Sequence, residues 1–139
     1  MDKEKVLNKL AEMEGYVTEL KRICPKTFVE YQRSVEKRRA CERLLQISIE
    51  TMIDICNVLV IELKLGLPSG EEDIFEKVCN EGLITKAMKE KLKKTRKFRN
   101  VLVHRYGIID DRKVFANIKK NLKDFSEFKV SIAKSLKKP

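Results

Sequence analysis

Residues 44–65 run Leu44-Leu45-Gln46-Ile47-Ser48-Ile49-Glu50-Thr51-Met52-Ile53-Asp54-Ile55-Cys56-Asn57-Val58-Leu59-Val60-Ile61-Glu62-Leu63-Lys64-Leu65. Helical periodicity dominates and nothing alternates convincingly with period two, so the stretch does not read as a half-buried strand. Wound as a helix it is apolar nearly all round, and such a helix must be wrapped on several sides, by its own bundle or by a second subunit. Asp54, Asn57 and Glu62 interrupt it too early for a membrane span. Asp54 and Asn57 stand one turn apart, where burial without partners would be costly. They could orient catalytic groups; a structural polar pair is the favoured reading.

Upstream, Val6, Leu10, Met13, Val17, Leu20 and Cys24 step by four and three, the stripe of an amphipathic helix that Pro25 ends. Thr27 followed by Glu30 signals a capping box, and the helix it opens runs, with room for a break, through residues 33–43 into the apolar stretch. Downstream, Gly66, Pro68, Ser69 and Gly70 mark the main loop, and Ser69 with Glu72 forms a second capping-box pattern. A short helix over 72–80 should end near Gly82. Ile84, Met88, Leu92, Val101 and Leu102 define a fourth helix with a basic back. After Gly107, Asp110 or Asp111 can cap a fifth, whose stripe is Phe115, Ile118, Leu122, Phe125, Ile132 and Leu136. The expectation is an all-α, up-and-down bundle of four to five helices, forming one domain over residues 1–139.

The 139 residues are 42% hydrophobic and 37% charged, the latter well above the usual ~25%. The formal charge of +10 makes nucleic acid the leading polyanionic partner, ahead of an anionic membrane surface or an acidic protein. Cys24, Cys41, Cys56 and Cys79 have no CxxC spacing, and a single histidine cannot complete a Cys/His zinc set. They read as reduced, mostly buried thiols, and neither metal nor cofactor is expected. The opening MDKEKVLNKL has no apolar core of a secretory signal, so the expected location is the cytoplasm, with no membrane partner.

Between Lys86 and Arg99 lie eight basic residues (Lys86, Lys89, Lys91, Lys93, Lys94, Arg96, Lys97, Arg99) and one acid, Glu90. Local i,i+4 pairing cannot neutralise them. They form either a solvated face or a surface that tracks RNA phosphates, with Lys93, Lys94, Arg96 and Lys97 as the candidate contacts. The run leads into Arg99-Asn100-Val101-Leu102-Val103-His104-Arg105-Tyr106. His104, the sole histidine, can move a proton near neutral pH, and a guanidinium can hold a phosphate through two parallel hydrogen bonds. A lone histidine near a helix end is more often a cap or packing residue. At about 100° per residue Arg99 and Tyr106 share a helical face, Asn100 and His104 another, and Arg99 stands about 140° from His104. Either the helix distorts, or a second copy of the segment completes the site, as a twofold dimer allows. Arg38, Arg39 and Arg43 could extend an RNA path, although Glu36 and Glu42 favour a solvated face.

Arg99, four residues, His104, one residue, Tyr106 resembles the R-x4-H-x-Y motif of HEPN-domain toxins of the HepT type. Residues 38–50, Gly66-Leu67-Pro68 and residues 98–106 resemble the corresponding family segments, so the likeness covers essentially the whole chain. Arg105 departs from the small residue frequent at that place and adds charge. The resemblance implies a homodimeric, metal-independent endoribonuclease, acting on tRNA or mRNA and restrained by a partner nucleotidyltransferase of the MNT type. Arg99 and His104 would be catalytic, Asn100 supporting, and Tyr106 the residue that the partner modifies with AMP. A non-catalytic nucleotide- or protein-binding module beside a nucleotidyltransferase is the alternative, and a basic scaffold protein the third reading.

Overall fold

In the computed structural model, which describes residues 1–104 and 109–137, the chain forms α1 (Lys3–Ile23), α2 (Phe28–Arg33), α3 (Val35–Glu62), α4 (Glu71–Asn80), α5 (Lys86–His104) and α6 (Asp111–Leu136). Six helices replace the four to five expected because the second divides. Ser34 takes an extended backbone (φ −117°, ψ 108°) and its hydroxyl accepts from the Lys37 N–H, so a new N-terminus starts there. Thr27 accepts from the Glu30 N–H as its sequence signal requires, and Asp110 rather than Asp111 caps α6, accepting from the Arg112 and Lys113 N–H groups.

The expected Ser69–Glu72 capping box does not form. Gly70 is the N-cap of α4, with no side-chain cap bond, and the Ser69 N–H donates instead to Asp73 Oδ2 at 3.0 Å. At φ +155°, ψ −179°, Gly70 holds a conformation in which a Cβ is strained, and this fixes how α4 leaves the loop. Glu71, Glu72 and Asp73 then fill the first turn of α4, where the partial positive charge of the helix end favours them.

α3 is the centre of the bundle. Leu45, Ile49, Met52, Ile55, Cys56 and Leu59 are fully buried, and each of the other helices packs against it. By length and composition α3 could cross a membrane, but most of its apolar run is buried inside the protein. One stripe stays open in the single chain: Arg43, Asp54 and Ile61 are exposed, with Ile47, Glu50 and Asn57 half-buried between them. Asp54 is therefore not the costly buried carboxylate that the apolar pattern suggested. None of the four cysteines is bridged; Cys24, Cys41 and Cys56 are buried and Cys79 half-buried.

Tyr31 lies on a satellite of this core, its ring 5.3 Å from Phe115 and 6.4 Å from Phe28, centroid to centroid. It is 0% exposed, and its hydroxyl has no hydrogen-bond partner among the described residues. Burial, first, and the nearby Glu42 charge push its phenol well above the ordinary range. Removing an unpaired hydroxyl while keeping the ring removes a desolvation cost and little else. Tyr31→Phe should therefore leave stability unchanged or raise it by up to ~1 kcal/mol, whereas Tyr31→Ala should cost ~3–5 kcal/mol. Urea titration of the three proteins checks this, and a clear loss of stability in Tyr31→Phe would show that the hydroxyl has a partner.

Candidate active site

Helix α5 presents three stripes. Met88, Leu92, Thr95 and Leu102 are buried and face the core. Glu90, Lys94, Lys97, Val101 and His104 step by four and three along the solvent side and are exposed. Lys89, Lys93, Arg96 and Asn100 lie half-buried between the two. Arg99 falls on the core-facing stripe, between Thr95 and Leu102, and its side chain is 14% exposed. A charge placed there needs partners, since an unpaired buried ion is costly.

Two partners are present. Arg99 Nη2 donates to Glu71 Oε1 at 2.5 Å, and Arg99 Nε donates to Asn100 Oδ1 at 2.9 Å. Arg96 Nε reaches the same Glu71 oxygen at 2.7 Å, so one carboxylate at the start of α4 holds two arginines of α5. Asn100 is thus in direct contact with Arg99. Glu71 was missed by the sequence reading. Its signal was three acids opening a helix, Glu71-Glu72-Asp73, next to a helix with more basic residues than it could neutralise.

Three lysines of the basic run are also paired, from outside α5. Lys93 and Lys89 reach Glu76 at 2.7 and 3.1 Å, and Lys91 reaches Glu127 at 3.0 Å and Asp124 at 3.8 Å. Hydrogen bonds from Lys93 and then Lys89 hold the Glu76 carboxyl below its ordinary range, and Lys91 does the same for Glu127. Of the four candidate RNA contacts, Lys94 and Lys97 are exposed on the solvent stripe, while Lys93 and Arg96 are engaged with α4. On α3, Arg38 lies 3.6 Å from Asp111 and Arg39 2.7 Å from the buried Glu42, leaving Arg43 exposed.

His104 is the last residue of α5 and exposed. The helix runs unbroken from Arg99 to His104, so the distortion that could have joined them is absent, and the two side chains leave the helix about 140° apart. Tyr106, like Arg105 and Gly107, lies outside the described residues. No cluster of three or more His, Cys, Asp or Glu side chains able to hold a metal ion occurs among the described residues.

A family model described as ribonuclease HepT-like matches residues 13–132. The chain belongs to this family. Among its relatives, an mRNA nuclease HepT from Shewanella oneidensis is 33% identical over 84 residues, 60% of this chain and 63% of that protein. The matched stretch thus spans slightly less than two thirds of that relative. A tRNA nuclease HepT from Aphanizomenon flos-aquae is 29% identical over 103 residues, 74% of this chain and 70% of the relative. The solved structure of a tri-AMPylated Shewanella oneidensis HEPN toxin in complex with MNT antitoxin superposes with TM-score 0.85 and 25% identity, covering 96% of this chain and 98% of that one. The fold is shared more widely: YutE from Bacillus subtilis, a cytosolic protein of unknown function, matches with TM-score 0.82 and 21% identity over 98% of this chain and 91% of its own.

The pairing between α4 and α5 predicts an acid response. Because the folded Glu76 titrates below its ordinary value, its ion pairs stabilise the fold above that ordinary value, ~4.3, and are lost as pH falls through the lower folded one. The melting temperature should drop on going from pH 5 to pH 3, less steeply in Glu76→Gln, with the difference shrinking in high salt. Parallel acid curves for the two proteins would show that the Glu76 cluster does not contribute.

Proposed function

We propose that this protein is the toxin of a toxin–antitoxin pair, a cytoplasmic, metal-independent endoribonuclease neutralised by a nucleotidyltransferase of the MNT type. The observation that carries the chemistry is a guanidinium lodged on the core-facing stripe of α5, held by Asn100 and Glu71, five residues before an exposed imidazole. The names of the relatives support the same reading.

In this reaction a ribose 2′-oxygen attacks the adjacent phosphorus and the bond to the 5′-oxygen breaks. His104 takes the proton from the 2′-hydroxyl or gives one to the departing 5′-oxygen, and Arg99 stabilises the charge that builds on the phosphate. The nucleophile belongs to the RNA, so no metal-activated water is required, and the products are a 2′,3′-cyclic phosphate and a 5′-hydroxyl. Lys94 and Lys97, on the same solvent stripe as His104, supply charge along which the RNA backbone lies, with Lys93 and Arg96 flanking them.

The working unit is a homodimer. Arg99 and His104 diverge within one helix, and a twofold axis brings the Arg99 of one copy towards the His104 of the other. Val101 and Val103, 55% and 44% exposed beside His104, and Ile61 on the open stripe of α3, 62% exposed, supply apolar surface for that contact. Cleavage of total tRNA in EDTA should be robust for wild type and fall about 10²–10⁴-fold in His104→Ala. Mixing Arg99→Ala with His104→Ala should restore activity, because the mixed dimer keeps one intact pair across the twofold. Full cleavage by His104→Ala would end the mechanism; a mixture as inactive as its parts would end the shared site.

Control falls to Tyr106. Attack of its phenolic oxygen on the α-phosphorus of ATP, with loss of pyrophosphate, places bulk and negative charge beside His104, where an RNA phosphate must bind. Intact-mass analysis after incubation with the partner, ATP and Mg²⁺ should show AMP-sized increments in wild type and none in Tyr106→Phe. Increments that persist in Tyr106→Phe would move the modification elsewhere.

A further inference from the structure

We propose that Glu71 is the positioning residue of the cleavage site, fixing the plane and reach of the Arg99 guanidinium; this rests on reading Arg99 as the group that binds the phosphate. A guanidinium has two edges able to grip an oxyanion with paired protons: the side edge, formed by Nε and the nearer terminal nitrogen, and the end edge, formed by the two terminal nitrogens. In Arg99 the side edge is filled. Nε donates to Asn100 Oδ1 at 2.9 Å and Nη2 to Glu71 Oε1 at 2.5 Å. Two acceptors on one edge fix both the rotation and the tilt of the plane, and they leave the end edge for a phosphate.

Glu71 is built to hold that position. It is the first residue of α4, its side chain only 32% exposed, and the loop before it enters the helix through the constrained backbone of Gly70. Arg96, three residues before Arg99, donates to the same Oε1 at 2.7 Å and so anchors the carboxylate from the other side. Glu71 shares its one negative charge between two guanidiniums, and Glu72, 3.8 Å from Arg96 Nη1, takes up part of the Arg96 charge. Glu71 therefore orients Arg99 without being its dedicated countercharge, which leaves positive charge for the transition state. Asn100 is attached to α5 itself, so Glu71 is the contact that sets Arg99 relative to the rest of the bundle.

The test is steady-state cleavage of one RNA by wild type, Glu71→Ala, Glu71→Gln and Arg99→Ala, with a melting curve for each. Glu71→Ala should lower kcat by about 10–100-fold, the scale of a misplaced group, while KM changes less than about threefold. Glu71→Gln keeps an amide oxygen in place of Oε1 and should recover to within about threefold of wild-type kcat, a rescue that a merely electrostatic contribution to folding would not give. Wild-type kcat in Glu71→Ala would overturn the proposal, and a faster Glu71→Ala would make the carboxylate a competitor of the phosphate instead. Loss of kcat in both variants in step with their melting temperatures would reduce Glu71 to a structural role. Arg99→Ala cleaving as fast as wild type would overturn the phosphate-binding reading itself, and this inference with it.

Discussion

Helix α3 carries more apolar surface than a lone helix can keep from water, and every other described helix packs against it. Fully burying a Leu, Ile or Met side chain contributes on the order of 1.5–3 kcal/mol, and α3 buries a continuous series of them from Leu45 to Leu59. That demand arranges the molecule. α1 supplies Val6, Leu10, Met13 and Leu20, α4 supplies Ile74, Phe75 and Val78, and α5 and α6 close the remaining sides. The stripe that no helix covers, from Arg43 to Ile61, is the part of α3 on which Asp54 and Asn57 sit.

The site depends on this packing because α5 has to serve two environments at once. Its inner stripe joins the core through Met88, Leu92 and Leu102, and Arg99 occupies a place on that stripe which a leucine would fill in a purely structural helix. The ion pairs to α4 and α6 act as a collar around α5. Glu71 and Glu76 from one side and Glu127 and Asp124 from the other take up Arg96, Arg99, Lys89, Lys93 and Lys91. What stays exposed is narrower than the whole basic run: Lys86, Lys94 and Lys97, the last two on the stripe that ends at His104.

Most of the fold was legible because periodicity is local. The three-four spacing from Val6 to Cys24, the Thr27 cap and the stripe from Ile118 to Leu136 each report on one helix and need no partner to be read. The Ser69–Glu72 pattern misled because a cap depends on backbone angles, and Gly70 takes the cap position in a conformation that side chains rarely adopt. The site was legible in its parts but not in its assembly. Arg99 and His104 stand out as residue types, and the angle between them follows from helix geometry alone. The pairing of the countercharge on α5 could not be read from spacing, since it comes from residues as distant in sequence as Glu71 and Glu127; only the run of three acids that opens α4 hinted at it.

The contact between Glu71 and Arg99 also ties the loop before α4 to the candidate site. Gly70 is a surface residue with open space around the place a side chain would occupy, and an inspection based on crowding would call it replaceable. Its backbone angles say otherwise, because any change there re-aims the first turn of α4 and with it the carboxylate that Arg99 leans on. If Glu71 positions Arg99 as proposed, a substitution in that loop would act on the motif nearly thirty residues away. Two chains with the same R-x4-H-x-Y segment would then cleave at different rates through this loop alone.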